Sequence, residues 1–349
     1  MTQTLPPDSG QLFRHPLDAS PLTAATGDDG TIAALLGADG SRFAVDDGIP
    51  DLIWPRTLGE AERTAQATYE EVADVYDKYI HLTFDTFNTD ETTERRRMVD
   101  RLALSPGQTV LEFGCGTGRT SALIAERLGA HGTLLLQELA RPVLVQARAK
   151  AAKLATPSHV ALANGSYLPL ADNSVDAVFH FGGINMFSDI GRCFAEAARV
   201  TKPGGRVVIG DENMPVWLRD TEMGRVLMNS NHHYRCPVPF EHIPVEARDV
   251  ACEWIIGGVF YVISFTVGEG APYADLDFQI PGRRGGTHRT RYYGQLEGVT
   301  PEAKRHAQDQ AARAGMSLHA WLDRLIRTAD GTPDTDTETE DKNGKGGGR

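Results

Sequence analysis

Between Val110 and Gly118 the chain reads VLEFGCGTG, so Gly114, Gly116 and Gly118 follow a short apolar run and precede a helical pattern. Glycines there let the backbone turn sharply and let a ligand approach with no Cβ in the way. The spacing is G-x-G-x-G, with Arg119 where a dinucleotide fingerprint needs its last glycine, so a pyrophosphate cradle is not indicated. Glu112 places a carboxylate at the end of the run, where a cationic amino group can be held. The next apolar run, TLLLQ, ends at Glu138, a carboxylate able to accept from both hydroxyls of a ribose. A third ends in Asn164-Gly165-Ser166, where an amide can read the edge of a base. The chemistry these types support is the binding of a nucleoside that is positively charged and carries no phosphate.

Such groups need a scaffold that brings strand ends together. From Thr109 onward apolar runs alternate with helical patterns: TVLEF, SALIAERL, TLLLQ, HVALA, DAVFHF, DIGRCFAEAARV and RVVIG. That alternation predicts right-handed crossovers and a parallel sheet covered by helices on both faces. ACEWII and VFYVISFTV flank Gly257-Gly258, which predicts a two-residue turn and an antiparallel hairpin closing the sheet. Upstream, Leu58 to Tyr79 reads as a helix with Tyr69, Val72, Ala73 and Tyr76 on one face. FNTDETTERRR reads as a polar link to a second helix that ends near Leu104 and is closed by Pro106-Gly107.

S-adenosyl-L-methionine is a cationic, phosphate-free nucleoside, and the ordered set of motifs, with KPGG before the fifth strand, resembles the class I S-adenosylmethionine-dependent methyltransferases. The likeness is greatest to the branch that holds ubiquinone and menaquinone biosynthesis enzymes, and covers roughly residues 70 to 267. It implies an α/β fold with a Rossmann-like, mostly parallel sheet from about Arg101 to Val267. By the same resemblance Glu112, Gly114, Gly116 and Gly118 wrap the methionine moiety, and Glu138 binds the ribose. Asn164 stands beside adenine where the family more often has Asp, with Gly165 and Ser166 following. Phe181 and Gly182 form the edge of the site after the fourth strand, and Tyr76 covers the carboxylate end of the cofactor.

Methyl transfer from a sulfonium needs an oriented acceptor and, for a hydroxyl or protonated amine, a base. The segment from Asp211 to Pro244 is the expected acceptor-choosing region. Met214, Trp217, Met223, Met228 and Phe240 suit an adaptable cover over an apolar, quinone-like or lipid-like small molecule. His232 and His233 are candidate bases, and Asn185 in GGIN is a candidate for orienting the acceptor.

Two appendages complete the reading, with boundaries at 1–57, 58–275, 276–328 and 329–349. The small, β-rich N-terminal segment, with SRFAVDDGIPDLIWP, resembles the end of a zinc-ribbon-like domain. It holds no cysteine, so no metal site is expected and packing on the catalytic domain is. RTRYYGQLEGV reads as a strand, followed by two helices broken at Gly315; this strand–helix–helix resembles a ribbon-helix-helix unit. Arg289, Arg291, Tyr293 and Gln295 then share a face opposite Leu296, extended by Arg283, Arg284 and His288. A homodimer through this unit, or its packing within the chain, is expected ahead of contact with nucleic acid. A protein that senses its cofactor and binds DNA is the alternative function. The net charge of −12 disfavours nucleic acid as the main partner. The chain shows no signal-peptide run and no stretch near the roughly 18 apolar residues that span a bilayer, so a cytoplasmic protein without stable membrane insertion is expected. The residues after Thr328 lack apolar content and read as disordered.

Overall fold

The computed structural model describes residues 12–281, 285–293 and 298–329. The chain divides into two compact units, residues 1–272 and 273–349.

The first unit begins with a four-stranded antiparallel sheet, β1 (Thr23–Thr26), β2 (Ile32–Leu36), β3 (Arg42–Asp46) and β4 (Ile49–Pro50). Asp47 and Gly48 join β3 to β4 with φ of 49° and 69°, the left-handed pair that a two-residue hairpin turn requires. This sheet packs onto the larger one. Phe13, Leu35, Phe43 and Leu52 are buried in the same cluster as Leu111, Phe113 and Ala161. The Leu52 amide donates to the Leu162 carbonyl at 2.9 Å. Arg148 and Arg141 form ion pairs with Asp47 and Asp46 at the hairpin turn.

Three helices follow: α1 (Glu60–Tyr79), α2 (His81–Thr86) and α3 (Glu91–Asp100). The expected polar link is a correction here, because ETTERRR is the body of α3. Asp90 caps it by accepting from the Thr93 amide at 2.7 Å, and Glu91 pairs with Arg95 one turn on, so local electrostatics sustain a helix with little apolar content.

The main sheet takes β5 (Thr109–Phe113), β6 (Thr133–Glu138), β7 (Ser158–Leu162), β8 (Val175–Phe181), β9 (Thr201–Glu212), β10 (Ala247–Ile255) and β11 (Phe260–Val267). Their order is β10-β11-β9-β8-β5-β6-β7. The five strands from β9 to β7 run parallel, and β10 and β11 add an antiparallel hairpin. This is the Rossmann-like α/β sheet that the alternation implies. Helices α4 (Ser121–Leu128), α5 (Arg141–Ala151) and α6 (Ile190–Val200) make the crossovers, and α7 (Glu222–Ser230) lies in the insert before β10. Two apolar clusters fill the sheet's two faces. The hairpin turn is longer than expected: Ile255 pairs with Phe260, leaving four residues, Ile256 to Val259, in the loop. KPGG, expected as the stop after α6, is taken into the start of β9.

In the second unit, α8 (His288–Tyr293), α9 (Pro301–Arg313) and α10 (Leu318–Ala329) are helical. The expected strand in RTRYYGQLEGV is overturned over its first half. The Thr287 and Thr290 hydroxyls exchange hydrogen bonds with each other's amides and start a helical turn, and among the described residues of this unit there is no strand for it to pair with. The paired-strand DNA reading of Arg289 and Arg291 loses its strand with it. Thr300 and Ser317 cap α9 and α10, accepting from the Ala303 and Ala320 amides. Arg283, Arg284, Gln295, Leu296 and the tail beyond Ala329 lie outside the described residues. Among the described residues, no helix is long and apolar enough to cross a membrane.

Candidate functional site

The carboxyl ends of β5 to β9 open into a cavity of about 410 Å³ roofed by α1. The order of the strands makes this the expected place. Chain progression runs outward from β5 through β6 to β7, then returns beside β5 at β8, leaving a crevice between diverging connections. Helix α1 presents Glu62, Gln66, Tyr69, Val72 and Tyr76 to the cavity at helical spacing. Ala73 faces Ala140 and Val143 instead, which seats the helix on the start of α5. Both ends of α1 are pinned. Glu62 accepts from the amide and hydroxyl of Ser188, and Asp77 accepts from the Thr117 hydroxyl at 2.5 Å and pairs with Lys150.

The glycine loop forms the floor. Gly116 has φ of 54°, and a Cβ there would point into open space, so the cavity reaches its bare backbone. Gly118 is a correction. It does not line the cavity; its φ is 79° and a Cβ would press on Ala147 at 3.1 Å, so it serves the close approach of loop to α5. Gly114 and Gly165 do line it.

Glu112 is buried with the Ser121 hydroxyl donating to it, and burial pushes its carboxyl up to about 7. Glu138 is buried too, and its carboxyl is raised by burial against three opposing backbone amides. Those amides are Gly116 on one oxygen at 2.8 Å, and Leu139 and Ala140 on the other at 2.7 and 3.2 Å. A carboxylate offers about four acceptor positions. One of them therefore holds the glycine loop against β6 and two hold the turn that follows β6, so a two-pronged grip on a ribose needs one amide to let go. The amide of Asn164 is similarly engaged, accepting from Ser166 N at 3.0 Å and donating to the Trp54 carbonyl at 3.1 Å. Ser166 is a second correction: it lies outside the lining and donates its hydroxyl to the Asp189 carbonyl.

Of the candidate acceptor-side residues, only His233 reaches the cavity. Its Nδ1 has no partner, and burial lowers its pKa, so the ring is held neutral. His232 is exposed and stacks on it with ring centres 4.1 Å apart. Asn185 does not line the cavity. Its side chain donates to the Glu212 carbonyl at 3.0 Å, which spends its amide on the backbone. Met214, Trp217, Met223, Met228 and Phe240 also lie outside the lining. Met214 is core, whereas Trp217 and Phe240 are exposed. The apolar wall is built instead from Val72, Ile80, Phe84, Phe187, Ile256 and Phe260.

Five residues of the lining escaped the sequence reading. Arg95 and Arg119 line the cavity beside the glycine loop, both held by Glu91, and Arg95 also donates to the Thr120 hydroxyl at 2.8 Å. They can meet a ligand's carboxylate; the Glu91–Arg95 spacing was their visible signal. His180 on β8 stacks on Phe113 and places Nδ1 2.9 Å from the Phe113 carbonyl. A carbonyl only accepts, so Nδ1 carries the proton and Nε2, buried without a partner, is an open acceptor. Finally, Asp211 and Glu212 end β9 as consecutive acids in the lining.

A protein-family model described as a methyltransferase domain matches residues 111–209. An "Arsenite methyltransferase" of Halobacterium salinarum is 34% identical over 110 residues, 31% of this chain and 28% of that protein. A "Demethylmenaquinone methyltransferase" of Corynebacterium efficiens is 30% identical over 148 residues, 42% of this chain and 59% of that protein. The chain thus spans less than two thirds of the length of either relative. A solved S-adenosylmethionine-dependent methyltransferase of Aquifex aeolicus superposes with a TM-score of 0.38 at 20% identity, covering 50% of this chain and 89% of that one.

Proposed function

We propose that this chain, whose residues 111–209 are a methyltransferase domain, is an S-adenosyl-L-methionine-dependent enzyme that methylates a small, apolar acceptor of quinone-like or lipid-like character. The observation that carries the reading is the bare backbone at Gly116, facing a cavity whose acids at Glu112 and Glu138 are buried and raised. Such a cavity stabilises an incoming cation, and the absence of a final fingerprint glycine leaves no cradle for a pyrophosphate. The residues present therefore fit this cofactor.

When bound, the cofactor supplies an electrophilic methyl group. Glu112 would hold the ammonium and Arg95 the carboxylate, with the backbone from Gly114 to Thr117 lining the cavity beside them. Glu138, Asn164 and Gly165 would hold the nucleoside. Val72, Phe84, Ile256 and Phe260 exclude water and offer an apolar seat for the acceptor, which supports the quinone-like or lipid-like class. A demethylmenaquinone methyltransferase among the relatives supports the same class.

Calorimetric titration tests the cofactor. S-adenosylmethionine and S-adenosylhomocysteine should bind with micromolar or tighter affinity while NADH does not. Methyl-labelled cofactor incubated with a cell extract should put its label into the organic-solvent phase. Label confined to the aqueous phase would overturn the apolar acceptor.

A further inference from the structure

The two acids at the end of β9 differ in what holds them. Asp211 is fully buried, and its carboxylate accepts from three backbone amides: Glu212 at 2.9 Å on one oxygen, Asn185 at 2.7 Å and Gly183 at 3.1 Å on the other. These bonds tie β9 to the loop after β8. Glu212 receives no such set; it is half-buried, lines the cavity, and has the Asp211 carboxyl as its neighbour, which opposes a second negative charge. Burial and Asp211 together raise Glu212 well above the usual carboxylate range. The other titratable groups around the pair are Tyr69 and Tyr76 on α1, Tyr234 and Cys236 in the insert, Tyr261 on β11, and His180 and His233. Burial favours the neutral form of every one of them, and the cations in the same lining, Arg95 and Arg119, are engaged by Glu91. His180 adds an independent sign that a ligand belongs here, because it lines the cavity and its Nε2 is buried and unpartnered.

From this arrangement we infer that Glu212 is the proton acceptor of the methyl transfer, switched on by the charge of the cofactor and switched off when that charge is lost. The inference rests on the methyltransferase reading above and specifies an acceptor that carries a dissociable proton on oxygen or nitrogen. A cation entering this poorly solvated cavity favours the ionised form of Glu212 and expels its proton to solvent. In the transfer the acceptor's lone pair forms the new bond to the methyl carbon, and the carbon–sulfur pair stays with sulfur. Glu212 takes the proton the acceptor loses. The sulfur is then a neutral thioether, the cation is gone, and Glu212 returns to the protonated state in which it began. Asp211 is the positioning residue that makes the protonated state the resting one.

The test needs no acceptor. Calorimetry at pH 8.5 in buffers of different ionisation enthalpy counts the protons released when S-adenosylmethionine or S-adenosylhomocysteine binds. At that pH Glu112, at about 7, is already ionised. Linkage from the ligands' own amino groups is common to wild type and variants. S-adenosylmethionine should release up to one proton more than S-adenosylhomocysteine in the wild type, and Glu212→Gln or Glu212→Met should remove that excess. In the wild type alone, the infrared band of a protonated carboxyl should vanish with S-adenosylmethionine and persist with S-adenosylhomocysteine. Equal release by both ligands, an unchanged infrared band, or an excess that survives both substitutions overturns the inference while leaving the methyltransferase reading intact. Failure of either ligand to bind overturns both.

Discussion

The two halves of the cavity are built on different terms. Three polar side chains that line the cavity at the ends of β5, β6 and β7 are tied to the protein: Glu138 to three amides, Asn164 to Trp54 and Ser166, and Glu112 to Ser121. At the ends of β8 and β9, and in the insert, polar atoms are left waiting. His180 Nε2 and His233 Nδ1 have no partner, and Glu212 has only another acid. Buried polar atoms without partners cost stability, and a fold retains them where a ligand uses them. One half is thus held rigid to receive a fixed shape, and the other is unsatisfied until its ligand arrives.

Substitutions can break or sharpen that contrast. The largest effect is expected from Gly116→Val, whose side chain would enter the cavity from the rigid floor. Affinity for S-adenosylhomocysteine should fall at least ~100-fold, or ~2.7 kcal/mol. Stability should drop by only the ~1–2 kcal/mol that a left-handed non-glycine costs. Calorimetry beside a thermal melt checks both, and unchanged affinity would remove the floor from the site.

Glu112→Gln comes next. The native carboxyl, at about 7, holds a proton that the unfolded chain, near 4.5, has lost. Stability contributed by the protonated form is therefore full below pH 4.5, declines as pH rises to 7, and is gone above it. Glutamine keeps a partner for Ser121 without the charge. The variant should gain about 1–3 kcal/mol over wild type at pH 8 and nothing at pH 4, measured by denaturant unfolding. No gain at pH 8 would mean the carboxylate is already compensated.

The smallest effect is expected at His233→Ala on the unsatisfied side. Its ring holds nothing together through Nδ1, so the free energy of unfolding should stay within about 0.5 kcal/mol and cofactor affinity within about twofold. A collapse of either would show that the insert belongs to the rigid half.

The rigid half is also the half that was readable. Glycines at fixed spacing after an apolar run, and acids or amides at the ends of successive strands, are local facts, and β–α alternation places strand ends side by side. Glu112, Gly114, Gly116, Glu138, Asn164 and Gly165 line the cavity from that half, and Tyr76 on α1 with Phe181 and Gly182 at the end of β8 line it from elsewhere. Gly118 and Ser166 share the motif's spacing yet serve packing: Gly118 lies against Ala147 of α5, and the Ser166 hydroxyl is taken by the Asp189 carbonyl. Arg95 was hidden since a charged helix with little apolar content has the composition of a link.

By itself the sequence determined the sheet, the glycine floor and the order of the groups along the strand ends, since hydrophobic periodicity and turn chemistry act over a few residues. Tertiary structure alone decided the acceptor side. Whether a methionine of the insert covers a ligand or fills a core depends on what the insert folds against, and here Met214 is core while Ile256 and Phe260, from the hairpin, form the wall. It decided also that Asp211 would spend its charge on amides from the loop after β8 and leave Glu212 with none. Consecutive acids in a sequence are alike; burial and a different set of neighbours made them opposites.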